Sequence, residues 1–219
     1  MKKLVPEIVV IVLVILPLIY FMKVYPLLPP VIPTHFGFDG KPNGYSSKQT
    51  MIWIILSTSL ISVACYLLVK FLPRIDPKKT AAMAGGKLQN IAIAVVALLS
   101  VVMICILYTS VDRSISFSRL FNPIMGIFFI VVGNLMYSIK PNYFVGVRVP
   151  WTLENEDNWR ATHRMTSILW VIGGILITVF TLVLSGQNSE YFLVISTLIL
   201  ALGPIIYSFI YFRKHRASL

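Results

Sequence analysis

Acidic side chains are scarce in this sequence: eight Asp and Glu residues stand among 219, against nineteen Lys and Arg. Charged residues make up 12% of the chain, about half the share usual in soluble domains, while 57% of it is hydrophobic and the mean hydropathy is +0.83. That deficit excludes a soluble globular class and predicts an integral membrane protein. Cysteine is nearly lacking. Cys65 and Cys105 both fall inside apolar runs, where a thiol acts as a small buried hydrophobe, so no disulfide framework is implied. The three histidines, His35, His163 and His215, are scattered without metal-ligand spacing and without a companion Ser or Cys nucleophile, so no metal, no cofactor and no catalytic centre is expected.

Long apolar runs are what the chain does have. A helix needs roughly 20 mostly apolar residues to cross the hydrocarbon core. Six such windows occur, at about 4–22, 51–69, 88–108, 120–139, 165–185 and 191–212. Two lysines precede the first, as in a signal peptide, but its apolar run is long and no small-residue cleavage site follows, so it reads as a retained span. The expected fold is an all-α membrane protein, a bundle of six transmembrane helices with both termini cytoplasmic. Two units are expected: residues 1–87, a two-span unit with a proline-rich external loop (23–50), and residues 88–219, a four-span unit with a cytoplasmic loop (140–164).

Basic residues set that orientation, because short cytoplasmic loops keep Lys and Arg. Lys2, Lys3, Lys70, Arg74, Lys78, Lys79, Lys87, Lys140, Arg148, Arg160, Arg164, Arg213, Lys214 and Arg216 then lie inside, and only Lys23, Lys41, Lys48, Arg113 and Arg119 outside. The net charge of +11 is thereby explained by topology and by attraction to anionic membrane lipid, with no direct nucleic-acid partner. Ionisable groups at mid-membrane usually signal ion or proton coupling, and spans two to six have none. Their polar residues, among them Asn90, Asn122 and Asn134, suit interhelical hydrogen bonds, with Gly173, Gly174 and Gly203 for close packing. A small-molecule or lipid transporter using those asparagines as a path is the alternative reading.

Two loops break the apolar pattern. The first, residues 23–50, carries five prolines and three glycines, which favour extended stretches joined by tight turns. Asp39 in Asp-Gly suits a turn that it bonds itself, His35 suits a hydrogen-bonded loop position, and Ser46 with Gln49 forms a candidate capping box for the next span. The second, "NYFVGVRVPWTLENEDNWRATHR" (142–164), is polar and aromatic between apolar blocks. Asn155 is placed to cap a short amphipathic helix feeding span five, with Glu156 and Arg160 paired at i,i+4. Trp151 and Trp159 are expected at headgroup depth as interfacial anchors.

"LPPVIPTHFGFDGKPNGYSSK" (28–48) together with "GNLMYSIKPNYFVGVRVPWTLENEDNWRATHR" (133–164) resembles the SdpI-type bacterial immunity proteins. The first block is similar to a small domain at their N-terminus, "LP..IP.HF...G.P.G", and the second to their signature, "N..P..K.N...G.R.PWTL.....W..TH". It departs from that pattern at Met136-Tyr137 and at Val149. The resemblance implies a bacterial plasma-membrane protein that protects its cell from a secreted toxic peptide. It also implies a receptor role, with a small winged-helix repressor held at the inner face. On matching positions, the implied binding residues are Pro33, His35, Phe36 and Gly40 in the external loop. In the cytoplasmic loop they are Asn142, Gly146, Arg148, Pro150, Trp151, Thr152, Trp159, His163 and Arg164.

Overall fold

The computed structural model describes residues 4–37, 39–75 and 86–215. Lys2, Lys3, Lys78, Lys79 and Arg216 of the charge argument lie outside them. Six helices are long and apolar enough to cross a membrane. They are α1 (Val5–Val24), α2 (Lys48–Ile75), α3 (Gly86–Val111), α4 (Phe117–Met136), α6 (Glu156–Val183) and α7 (Gln187–His215), with a single turn, α5 (Pro150–Leu153), ahead of α6. Each of the six windows read from the sequence overlaps one of these helices, the first starting one residue before Val5, the fourth ending three residues past Met136 and the fifth two past Val183. The apolar side chains left on the outside of the bundle, such as Leu60, Ile172, Val183 and Ile206, form the kind of face that only lipid or another apolar surface can cover.

Helix ends follow local chemistry. Asn155 caps α6, its side-chain oxygen accepting from the Asn158 amide at 2.8 Å, and Glu156 and Asp157 in the first turn face the positive end of the dipole. The expected short helix and span five are one continuous helix of 28 residues, because nothing between Glu156 and Met165 interrupts it. At α2 the cap is Ser47 in place of the expected Ser46: its Oγ accepts from the Thr50 amide at 3.0 Å. Ser46 is taken up in the preceding strand.

Prolines inside helices, here Pro17, Pro73, Pro123 and Pro204, leave carbonyls without their usual i+4 donor, and at two of them a side chain of another helix supplies one. Pro17 in α1 frees the carbonyl of Leu13, and the Ser100 hydroxyl of α3 donates to it at 2.6 Å. Pro204 in α7 frees the carbonyl of Leu200, and the Trp170 indole of α6 donates to it at 2.8 Å. A neighbouring helix thus completes these two broken ladders, as a bilayer requires where no water can. The closest crossing joins α4 to α6. A Cβ added at Gly126 would meet the Gly174 carbonyl at 2.6 Å, and one at Gly174 the Gly126 carbonyl at 2.5 Å, so both positions need glycine. Helix α3 packs against α1 and α2 on one side and α4 on the other.

Between α1 and α2 the proline-rich loop forms a two-stranded antiparallel hairpin, β1 (Val31–Phe36) and β2 (Pro42–Ser47), with Val31 opposite Ser47 and Pro33 opposite Tyr45. Irregularities flank His35. Asp39 accepts from the Lys41 amide at 3.1 Å, and Gly40 takes φ +72°, as the Asp-Gly turn signal predicts. Ile32 on β1 is fully buried among Phe21, Leu28, Met51, Ile55 and Leu107, which plugs the hairpin into one end of the bundle. The 137–155 loop packs at the other end, where Trp159 joins Leu72, Leu88, Val132 and Met136.

Candidate functional site

Two sites follow from this arrangement, one at each end. At the hairpin end, β1 and β2 turn one face to the core through Ile32 and the other to a groove of about 420 Å³ closed by the α3–α4 connection. Val31, Pro33, Phe36, Gly40, Pro42 and Tyr45 line the hairpin side, and Thr109, Arg113, Ser116 and Phe117 the opposite side. Phe36 stacks on Phe117 with centroids 4.2 Å apart, and Phe117 on Phe121 at 5.1 Å, so the floor is an aromatic column rooted in α4. At the tip of the hairpin, a Cβ on Gly40 would meet Glu190 Oε1 and Ser118 Oγ at 2.8 Å each, which seats the turn on α4 and α7. Glu190 is itself buried and accepts from the Asn122 amide at 3.2 Å, with Ser189 accepting from the same amide at 3.0 Å.

The α3–α4 connection is held by Asp112, whose carboxylate accepts from the Ser114 amide at 3.0 Å and the Ser114 hydroxyl at 2.6 Å. Those two bonds, the hydroxyl first, keep its carboxyl below the ordinary aspartate range. Three of the four external residues named from the sequence, Pro33, Phe36 and Gly40, line the groove. His35 does not: it is exposed and its Nδ1 bonds Asn43 Oδ1 across the hairpin. Tyr45, Arg113 and Phe117 were not read from the sequence as site residues. Tyr45 could have been found from strand alternation, since it stands opposite Pro33.

At the other end the signature loop is fastened by its own side chains. Asn142, almost fully buried, makes four hydrogen bonds. Its amide donates to the carbonyls of Lys140 (3.0 Å) and Val145 (3.1 Å), and its oxygen accepts from the amides of Phe144 (2.9 Å) and Val145 (2.8 Å). Gly146 follows at φ +120°, and an added Cβ there would lie 2.2 Å from His163 Nε2. The buried His163 bridges loop and helix: Nε2 accepts from the Val147 amide at 3.0 Å, and Nδ1 faces the Trp159 carbonyl at 2.9 Å. An accepting Nε2 and a donating Nδ1 define the neutral Nδ1–H tautomer. Thr152 Oγ1 donates to the Val147 carbonyl at 2.7 Å and accepts from the Val149 amide at 3.1 Å, closing the turn ahead of Pro150.

Both tryptophans point inward, so the interfacial-anchor expectation is corrected. Trp159 is fully buried, stacks on His163 at 4.0 Å and donates to the Ile139 carbonyl at 2.9 Å. Trp151 is half-buried, donates to Ser208 Oγ at 3.0 Å and packs on Phe209 and Phe212 of α7. Each indole has a protein acceptor for its N–H, which removes the reason to sit among headgroups. Asn158, Thr162 and Ser208 complete the buried network and were not read from the sequence. Of the loop residues named there, Arg148, Pro150 and Arg164 are exposed, Arg148 donating to the Tyr143 carbonyl at 2.7 Å. No group of three His, Cys, Asp or Glu residues that could hold a metal occurs among the described residues.

The fastened loop, α5, α6 and most of α7 coincide with the span matched by the model of the SdpI/YfhL protein family, residues 138–208. Over that span the chain is similar to the SdpI/YfhL family. A second model, a domain of unknown function (DUF1648), matches residues 12–58, from α1 through the hairpin into α2. Immunity protein SdpI of Bacillus subtilis (strain 168) is 29% identical over 221 residues, covering all of both chains. No solved structure matches. With six helices long and apolar enough to span a membrane, and with this full-length likeness, the chain is a multi-pass bacterial membrane protein.

Proposed function

We propose that this protein is an immunity protein that protects its own cell against a secreted, membrane-active peptide, acting by binding and not by catalysis. The full-length likeness to Immunity protein SdpI carries the reading, since it covers this whole chain and so both loops and all six spans. The hairpin groove supports it as the place where a peptide is met. Its walls are proline and aromatic side chains on a backbone stiffened by Pro33 and Pro42, and Arg113 gives one cationic contact. Rigid aromatic surfaces with an arginine are the usual make-up of binding hot spots. The proposed sidedness puts the hairpin outside, and the signature loop and both termini in the cytoplasm.

Expression in a sensitive strain challenged with the cognate peptide tests this. The intact protein should restore growth, and Tyr45→Ala and Arg113→Ala should abolish protection at unchanged membrane levels, with His35→Ala retaining it. Equal protection by the two groove variants would remove the groove from the mechanism, and no protection by the intact protein would sink the immunity reading.

A receptor role at the loop end is the finer part of the proposal. Exposed Arg148 and a pocket of about 220 Å³ lined by Trp151, Glu154, Asn155 and Tyr211 support a docking face for a cytoplasmic protein such as a small winged-helix repressor. Co-purification with a repressor encoded nearby, reduced by Arg148→Glu, is the expected result. The transporter alternative has less support: Asn90 and Asn134 are exposed, while Asn122 is buried with its amide nitrogen donating to Ser189 and Glu190.

A further inference from the structure

Arg164 belongs to the signature block yet takes no part in fastening the loop. Its guanidinium lies 5.5 Å over the Tyr137 ring, and it makes no hydrogen bond or ion pair among the described residues. It stands at the head of a groove of about 720 Å³ that runs between α6 and α7 on the apolar exterior. Tyr207 of α7 lines the same groove, and its hydroxyl likewise has no partner among the described residues. Beyond these two and Ser196 the lining is apolar, through Ile168, Ile172 and Leu176 of α6 and Ile199 of α7.

We propose that this groove binds an anionic phospholipid of the leaflet at the loop end, with the phosphate on Arg164 and Tyr207 and one acyl chain along Ile168, Ile172 and Leu176. Position and charge identify the occupant. The groove opens on the face that lipid must cover, and its one cation stands at the mouth, near the water boundary, where a headgroup lies. A guanidinium presents paired N–H donors that fit two phosphate oxygens, and stacking on Tyr137 orients that fork without using the donors. From Arg164 to Leu176, α6 rises about 18 Å, close to the roughly 15 Å depth of one leaflet's hydrocarbon. A helix from a second copy would fill the apolar part but leave the guanidinium against an apolar surface.

Native mass spectrometry of the whole detergent-purified protein, titrated with phosphatidylglycerol or phosphatidylcholine, tests the site. Phosphatidylglycerol should give a saturable one-to-one adduct, and Arg164→Gln should lower its affinity by about tenfold, the scale of one charge-assisted contact. Ile172→Trp, which fills the groove from an exposed position, should lower it with Arg164 intact, and Arg160→Gln on the neighbouring turn should leave it unchanged. Equal phosphatidylglycerol adducts in Arg164→Gln and the parent would overturn the proposal. So would a concentration-dependent dimer that Ile172→Trp breaks while lipid binding stays the same. Circular dichroism of each variant separates loss of fold from loss of the ligand.

Discussion

Gly146 and His163 show how one residue can decide the shape of a whole loop. The backbone at Gly146 takes φ +120°, where an L side chain is strained, and the imidazole fills the space that a methyl would need. Gly146→Ala should therefore cost about 1–3 kcal/mol and open the 137–155 loop, read as faster proteolysis there in membranes. His163→Phe keeps the ring against Trp159 but strands the Val147 amide without its acceptor, so a loss of about 1–3 kcal/mol in detergent unfolding is expected. Trp159→Ala removes a fully buried indole and should cost about 3–5 kcal/mol. Loss of protection in that variant would report a collapsed loop, whereas Arg148→Glu changes an exposed group and tests the docking face itself. Asp112 carries the pH dependence at the other end. Its carboxyl is held below the ordinary aspartate range, so its two bonds to Ser114 add stability above that range and are lost as pH falls through the lowered value. Hydrogen exchange at the Ser114 amide should accelerate on acidification over that interval, and should be pH-insensitive beyond the intrinsic rate in Asp112→Asn.

At the scale of elements, the prolines inside α1 and α7 are matched to particular donors on their neighbours. Ser100→Ala should destabilise the bundle by about 1 kcal/mol in the parent and by nearly nothing in a Pro17→Ala background, where the helix supplies its own donor to Leu13. A thermal double-mutant cycle in detergent measures that coupling, and additive losses would show that Ser100 acts some other way. Elements were also where the sequence was read most and least well. Asn155, Asp39 and the Glu156–Arg160 pair were legible because each acts within a few residues of itself. Ser47 displaced Ser46 because the hairpin register claims Ser46, and that register depends on pairing across the turn. The tryptophans were misread for a similar reason. An indole with an apolar body and a polar edge suits both a membrane interface and a buried site with an acceptor, and only the path of the chain brings Ile139 and Ser208 within reach.

For the molecule as a whole, the three spans α2, α3 and α4 that separate them place the hairpin and the signature loop at opposite ends of one bundle. Single cysteines at exposed Tyr45 and Arg148, with Cys65 and Cys105 replaced by serine, should label from opposite sides of intact cells: Tyr45→Cys by an impermeant thiol reagent and Arg148→Cys only after permeabilisation. Labelling of both from outside would overturn the proposed sidedness and with it the assignment of a peptide groove and a cytoplasmic docking face. The span count and the membrane class came from the sequence by itself, because apolar length is a property of consecutive residues and the bilayer selects on it directly. The local caps and turns came the same way. Tertiary structure alone decided how the signature is fastened to the bundle and which of its residues face outward: Asn142 and Thr152 bond within five residues of themselves, but Trp151 and Asn158 show their roles only once Ser208, 57 and 50 residues away, has been brought against them.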